Sequence, residues 1–135
     1  MIMITSAEEF YRLRTSEVEE EYNRAAHEET SLEVWLDVIE KFPEMRLWVA
    51  QNKTVPAKVL EVLSRDHDAD VRSFVAMKRK LPEHIQLVLA RDEDYSVRER
   101  LSWNANATDA VLRVLAGDAE MRIREKAKER LAQVG

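Results

Sequence analysis

The feature that most constrains this chain is a dipeptide that returns every 26 residues. An apolar residue and an arginine form it each time, at Met45-Arg46, Val71-Arg72, Val97-Arg98 and Ile123-Arg124. Units repeated at a fixed period bury their apolar faces against their neighbours and do not close separate cores. The sequence therefore predicts a short solenoid with an extended binding surface.

Most columns keep their chemistry when the repeats starting at residues 45, 71 and 97 are stacked. The clearest columns are Val59, Ile85 and Val111; Val62, Val88 and Val114; Leu63, Leu89 and Leu115; and Asp66, Asp92 and Asp118. An earlier copy aligns at a spacing of 24 residues. We therefore predict one domain over residues 1–135, with a helical cap over 1–20 and repeats over 21–133 that start near 21, 45, 71, 97 and 123. Glu125 to Gln133 are predicted to cap the other end.

Each repeat has the pattern of two short helices. Pro56 and Pro82 fit a first helical turn, where a missing N–H costs nothing. Asp68 and Asp94 are placed to cap the next helix by accepting its free N–H groups. Behind the first proline, apolar residues at helical spacing predict one buried stripe. That stripe contains Val59, Leu60, Val62 and Leu63.

The rest of the chain also favours helix. Asn52 and Asn104 suit a left-handed residue that ends the second helix, although Lys78 breaks this column. Two glycines in all and no run of alternating apolar residues leave little room for a sheet. We predict an all-α fold of about nine helices. Capping-box spacing marks three early helix starts, at Ser6 to Glu9, Ser16 to Glu19 and Thr30 to Glu33.

The charge of −5 is unevenly distributed. Residues 1–44 hold 4 Lys and Arg against 12 Asp and Glu, which gives −8, and residues 45–135 hold 17 against 14, which gives +3. The acidic residues either solvate the N-terminal cap or steer a basic partner. The residues that would steer a basic partner are Glu17, Glu19, Glu20, Glu21, Glu28 and Glu29.

Composition narrows the class of protein further. A content of 45% hydrophobic and 35% charged residues is typical of an amphipathic helical domain. The absence of cysteine excludes disulfides and thiolate chemistry and is compatible with the cytoplasm, the expected location. Residues 1–4 are apolar but too short for a signal or membrane segment, so we expect no membrane partner.

The repeat VRSFVAMKRKLPEHIQLVLARDEDYSVR resembles the leucine-rich repeat variant and HEAT-like class of α-helical repeat proteins. The resemblance covers about residues 22–133, and its specificity comes from recurrence in register. It implies a right-handed superhelix of paired short helices, an α-solenoid, and a protein-binding or scaffolding role. Some members of the class carry a cysteine-ligated iron–sulfur cluster, which this chain without cysteine has no ligands to hold.

The arginine of each dipeptide has two interpretations. HEAT-like repeats resemble this chain in using an Asp/Arg ladder to join neighbouring units, which fits guanidinium groups that bridge carboxylates and helix-end carbonyls. A row of arginines that binds phosphates is the alternative. The ladder comprises Asp66, Arg72, Asp92, Arg98, Asp118 and Arg124, with Arg46 in the same arginine column.

A second pair of columns predicts a partner-binding ridge. Positions four and seven of each repeat, counted from the residue before arginine, flank the buried stripe of the second helix. Large aromatics, Met and Arg are enriched at protein interfaces. Burial under the next turn is the alternative for these side chains. The predicted ridge residues are Trp48, Gln51, Phe74, Met77, Arg100 and Trp103, with Lys126 at the far end.

A basic turn offers a different partner. If Lys78, Arg79 and Lys80 cluster with Arg72 and Arg98, the surface can accept nucleic-acid phosphates. Otherwise the triplet is a solvated loop.

No residue set predicts catalysis. The histidines lie in three different repeats without a second ligand at metal spacing, and a glycine-rich phosphate loop is absent. We therefore expect no enzyme activity, no metal and no cofactor. The expected partner is another protein of unknown identity, and the sequence leaves the oligomeric state open.

Overall fold

The computed structural model describes residues 3–133, and over that range the chain is helical without a strand. It forms ten α-helices and one short 3-10 helix there, so the all-α prediction is confirmed with one helix more than the nine expected. The described residues group into two compact units, of which the first ends at Leu63 and the second begins at Ser64.

The first unit contains five α-helices around an aromatic core. Phe10 and Trp35 are fully buried and meet edge to face, with ring centroids 5.4 Å apart. This geometry is favoured because the ring edge is positive and the ring face negative. The helices are α1 (Ala7–Thr15), α2 (Glu19–His27), α3 (Leu32–Lys41), α4 (Arg46–Gln51) and α5 (Ala57–Leu63), with the 3-10 helix Pro43–Met45 leading into α4.

The second unit contains two layers of short helices. In one layer α8 lies between α6 and α10, and in the other α7 packs against α9. Apolar side chains from every repeat fill the space between them, including Ile85, Leu101 and Leu115, which are essentially inaccessible to solvent. The five helices are α6 (Ala69–Ala76), α7 (Glu83–Leu89), α8 (Tyr95–Trp103), α9 (Asp109–Leu115) and α10 (Met121–Ala132).

The aspartate caps are confirmed. The Asp68 carboxylate accepts from the Asp70 amide at 2.9 Å, and Asp94 accepts from the Ser96 amide at 2.8 Å. Each carboxylate satisfies an N–H group that has no partner inside its helix.

The proline and serine signals need small corrections. Pro56 and Pro82 each lie one residue before their helix, where the Pro82 carbonyl accepts the first helical hydrogen bonds. Ser6 caps α1 as predicted, by accepting from the Glu9 amide at 3.0 Å. Ser31 replaces the expected Thr30 as the cap of α3, by accepting from Val34. Helix ends assigned from sequence commonly shift by such a residue.

The Ser16 prediction is wrong. Ser16 follows the last residue of α1, and its hydroxyl accepts from the Val18 amide, while α2 begins at Glu19 without a side-chain cap. A capping-box spacing at this point therefore marks the connection between two helices and not the residue that starts the second.

The predicted buried stripe is too wide. Val59 and Leu63 are fully buried, but Val62 is 46% exposed and its equivalent Val88 is 43% exposed. At 100° per residue, Val62 lies 60° from Val59 and 100° from Leu63 around the helix axis, on the edge of the stripe opposite the buried Leu60. The valine column was therefore wrongly assigned to the buried face at these two positions.

The asparagine column has a different role from the one predicted. No described non-glycine residue has a positive φ, and Asn104 is extended at φ −64° and ψ 121°, so the left-handed prediction for Asn52 and Asn104 is wrong. Asn104 is instead buried, and its Nδ2 donates to the carbonyls of Ala76 and Lys78 at 2.8 Å each. Asn52 donates in the same way inside the first unit, to Ala25 and Glu28.

Arginine takes the place of asparagine in the last repeat. Arg130 lies 26 residues after Asn104, and its Nη1 donates to the carbonyls of Ser102 and Asn104 at 2.8 and 2.7 Å. These two carbonyls are themselves 26 residues after those of Ala76 and Lys78. The column thus ties the end of one second helix to the turn of the preceding repeat.

We expect Asn104→Ala to lower the free energy of unfolding by about 2 kcal/mol, because two buried carbonyls lose their donor. The change is measured by urea denaturation. Asn106→Ala is the matched control, since this neighbour on the same turn is exposed and donates a single hydrogen bond, to the Arg79 carbonyl. Equal losses in the two variants would contradict the assignment.

Candidate functional site

The arginine column forms paired contacts between repeats in the second unit. Arg72 Nε and Nη2 donate to the two oxygens of Asp92 at 2.8 and 3.1 Å, while Nη1 donates to the Asp66 carbonyl at 2.7 Å. Arg98 repeats this arrangement with Asp118 and the Asp92 carbonyl. In the last repeat, Arg124 donates to the Asp118 carbonyl at 2.9 Å.

These pairs are shielded from solvent, and the pKa values of Arg72, Arg98 and Asp118 are shifted. The side chains of Arg72 and Asp92 are 9% and 7% exposed. The hydrogen bond to Asp92 raises the pKa of Arg72, and the hydrogen bond to Asp118 raises that of Arg98. Burial raises the pKa of Asp118, but hydrogen bonds from Arg98 and from the Glu120 amide outweigh it and bring the pKa below its ordinary value.

The ladder bears directly on the predicted basic patch. Arg72 and Arg98 each bind a carboxylate with two nitrogens, so neither guanidinium is free to take a phosphate. Arg79 and Lys80 are exposed on the turn after α6, and Lys78 beside them is half-buried. Arg72 and Arg98 therefore do not join the basic patch that the sequence predicts around this turn.

The predicted ridge residues of the first unit line a small pocket. The Arg14 guanidinium lies 3.4 Å from the centroid of the Trp48 ring, and Trp48 is half-buried beneath it. Gln51 and Tyr22 complete a cavity of about 120 Å³, together with Asn23, Ala25 and Ala26. Its volume fits part of one side chain.

The ridge residues of the second unit differ in exposure. Phe74 is half-buried, whereas Met77 is 46% and Trp103 62% exposed. Arg100 Nη1 lies 3.0 Å from the Met77 sulfur, and Lys126 Nζ lies 3.9 Å from the Trp103 ring centroid. Phe74 therefore contributes to packing, while Met77, Arg100 and Trp103 are presented to solvent.

These exposed residues surround an open groove of about 370 Å³, which we call the Trp103 groove. It is lined by Met77, Arg79, Arg100, Trp103, Asn104 and Ala105. The α6 end supplies one wall and the α8 end the other, and the Asn104 side chain holds the two ends together. The groove is therefore a preformed feature of the repeat junction.

Sequence reasoning missed two of the residues that surround these sites. Arg14 lies on α1, ahead of the repeats, so no column pointed to it. The sequence analysis places Asn104 at a helix end only. Its separation from Asn52 by two whole periods is the signal that could have pointed to a shared contact. The Lys126 contact with Trp103 follows from their columns, which lie side by side in adjacent second helices.

The acidic run in the first unit is partly neutralised by its own arginines. Glu21 accepts from Arg12 at 2.7 Å, and this hydrogen bond lowers the pKa of Glu21. Glu28 pairs with Arg24. The side chains that remain exposed there are Glu17, Glu19, Glu20 and Glu29.

Among residues 3–133, no three His, Cys, Asp or Glu side chains come together as metal ligands would. No helix within the same range is long and apolar enough to span a bilayer.

Comparison of the chain with protein-family models, with curated proteins and with solved structures finds no match.

We expect Asp92→Ala to lower the free energy of unfolding by about 3 kcal/mol, because it leaves the buried Arg72 charge without its carboxylate partner. Urea denaturation measures the loss. A double variant, Arg72→Met with Asp92→Leu, removes both charges and should recover part of it. A double variant as unstable as Asp92→Ala would show that the turn around Asp92, and not the ion pair, carries the effect.

The lowered pKa of Asp118 predicts a loss of stability in acid. Its ionised form is stabilised in the fold, so the contribution is present above about pH 4 and is lost as the pH falls through the lower folded pKa. Asp118→Asn should therefore flatten the decline of unfolding free energy below about pH 4. Asp109→Asn, at an exposed position of the same unit, should leave that decline unchanged.

Proposed function

We propose that this chain is a non-catalytic protein-interaction module, a scaffold or adaptor of the HEAT-like type, that binds its partner along the second helices. The observation that carries the proposal is the exposed Trp103 in an open groove beside Met77 and Arg100. Tryptophan, methionine and arginine are the residues that protein interfaces concentrate. Trp103 is 62% exposed, and an exposed indole lowers solubility. A bound partner that covers the ring would offset this cost.

The proposed architecture is a right-handed α-solenoid with helical caps. The period of 26 residues supports it, as does the side-by-side packing of α6, α8 and α10 in the second unit. The Arg–Asp contacts recur at Arg72–Asp92 and Arg98–Asp118, each time between residues 20 positions apart, as a stack of equal units requires.

Such an array favours binding because it is ordered before the partner arrives. A buried hydrogen bond from Asn104 and a part-buried one from Arg130 fix the helix ends near the groove. Association then loses less conformational entropy than it would on a flexible surface. This advantage applies equally to a scaffold, an adaptor or an inhibitor that covers a partner's active site.

Nucleic-acid binding is the less favoured alternative. It was expected to use Arg72, Lys78, Arg79, Lys80, Arg98 and Arg100, and the ladder neutralises two of these.

We expect Trp103→Glu to abolish capture of the native partner and to leave helicity and the melting temperature nearly unchanged, because the side chain is exposed. Affinity purification from the source cell with each variant as bait measures this. Tyr95→Glu is the matched control, since Tyr95 is 58% exposed on the same helix outside the groove. A partner retained by Trp103→Glu, or lost equally in both variants, would contradict the proposal.

A further inference from the structure

The Trp103 groove carries positive charge without a compensating carboxylate in its wall. Arg79 and Arg100 both line it, and none of its six lining residues is acidic. Neither guanidinium forms an ion pair within residues 3–133, where the polar contact of Arg100 is to the Met77 sulfur. Two exposed cations therefore face the same small space.

This state contrasts with that of the ladder arginines in the same unit. Arg72 and Arg98 lie 26 residues apart, each with an aspartate in bidentate contact. Within residues 3–133, the fold thus supplies carboxylates to Arg72 and Arg98 and none to the two arginines that line the groove. An exposed cation needs no internal partner, but a pair of them in one groove favours an anionic ligand.

A third cation lies at the margin of the groove. Lys126 Nζ is 3.9 Å from the Trp103 centroid and 3.8 Å from Glu129 Oε1, a carboxylate that is itself largely exposed. The ammonium covers part of one ring face. The remaining exposed area of Trp103, with the flexible Met77 opposite, suits a large apolar side chain from the ligand.

From these contacts we propose that the Trp103 groove binds an acidic peptide segment that carries one large apolar side chain. The apolar side chain packs between Met77 and Trp103, and the flanking carboxylates pair with Arg79 and Arg100. A groove of about 370 Å³ accommodates a few residues of extended chain. The inference rests on the proposed function and specifies the chemistry of its partner.

The test uses three labelled peptides that share a central phenylalanine and differ in the flanking residues, which are glutamate, glutamine or lysine. Fluorescence anisotropy with the full chain at low salt should give about tenfold tighter binding of the glutamate peptide than of the glutamine peptide. The preference should shrink as salt is added, because these charges are exposed. Equal binding of the three peptides, or no binding of the glutamate peptide, would overturn the proposal.

A double charge reversal, Arg79→Glu with Arg100→Glu, should remove the preference for the glutamate peptide. The matched control is Arg91→Glu with Arg113→Glu, which reverses two exposed arginines of the same unit outside the groove and should preserve it. A single-stranded oligonucleotide that binds more tightly than the glutamate peptide would also count against the proposal.

Failure of this inference and failure of the proposed function give different results. If Trp103→Glu abolishes partner capture and the arginine reversal leaves it unchanged, the groove binds a protein but not through carboxylates. If Trp103→Glu retains the partner, the binding surface itself is wrongly assigned. Loss of capture in both variants, with the control variants intact, supports both proposals.

Discussion

Buried polar contacts between successive repeats are the constraint on which the second unit depends. Asp92 accepts hydrogen bonds from both the Arg72 guanidinium and the Asp94 amide. One carboxylate therefore fixes its own turn and joins that turn to α6. A buried polar group without such partners is costly, and any change in the spacing of the repeats would leave several unpaired. Apolar packing supplies the driving force, whereas these directional contacts select one register.

The same contacts shape the surface that we propose for binding. Asn104 donates to the end of α6 from the end of α8, and it also lines the Trp103 groove. Its burial and its two carbonyl partners hold Met77 and Trp103 on helices whose ends are fixed. The groove thus lies at a repeat junction that Asn104 holds together.

Burial separates two of the roles that arginine has in this chain. In the ladder, Arg72 and Arg98 have low exposure and each pairs with a carboxylate, because an isolated guanidinium charge there would be strongly destabilising. Around the groove, Arg79 and Arg100 are solvated and stable without one. Residue type and repeat position predicted the first role, since Arg72 and Arg98 follow an aspartate by six residues. The exposure of Arg79 and Arg100 could not be predicted in this way, because it depends on how α6 and α8 pack.

The sequence by itself determined the helical class, the aspartate caps and the burial of Val59, Leu60 and Leu63, because these follow from local hydrogen bonding and from a period set by helix geometry. Only the tertiary structure decided that Val62 and Val88 face solvent, that Phe74 is half-buried while Trp103 is exposed, and that Asn104 donates to a preceding turn. The physical reason is that exposure and long-range hydrogen bonds depend on neighbouring helices, whose orientation a single repeat does not encode.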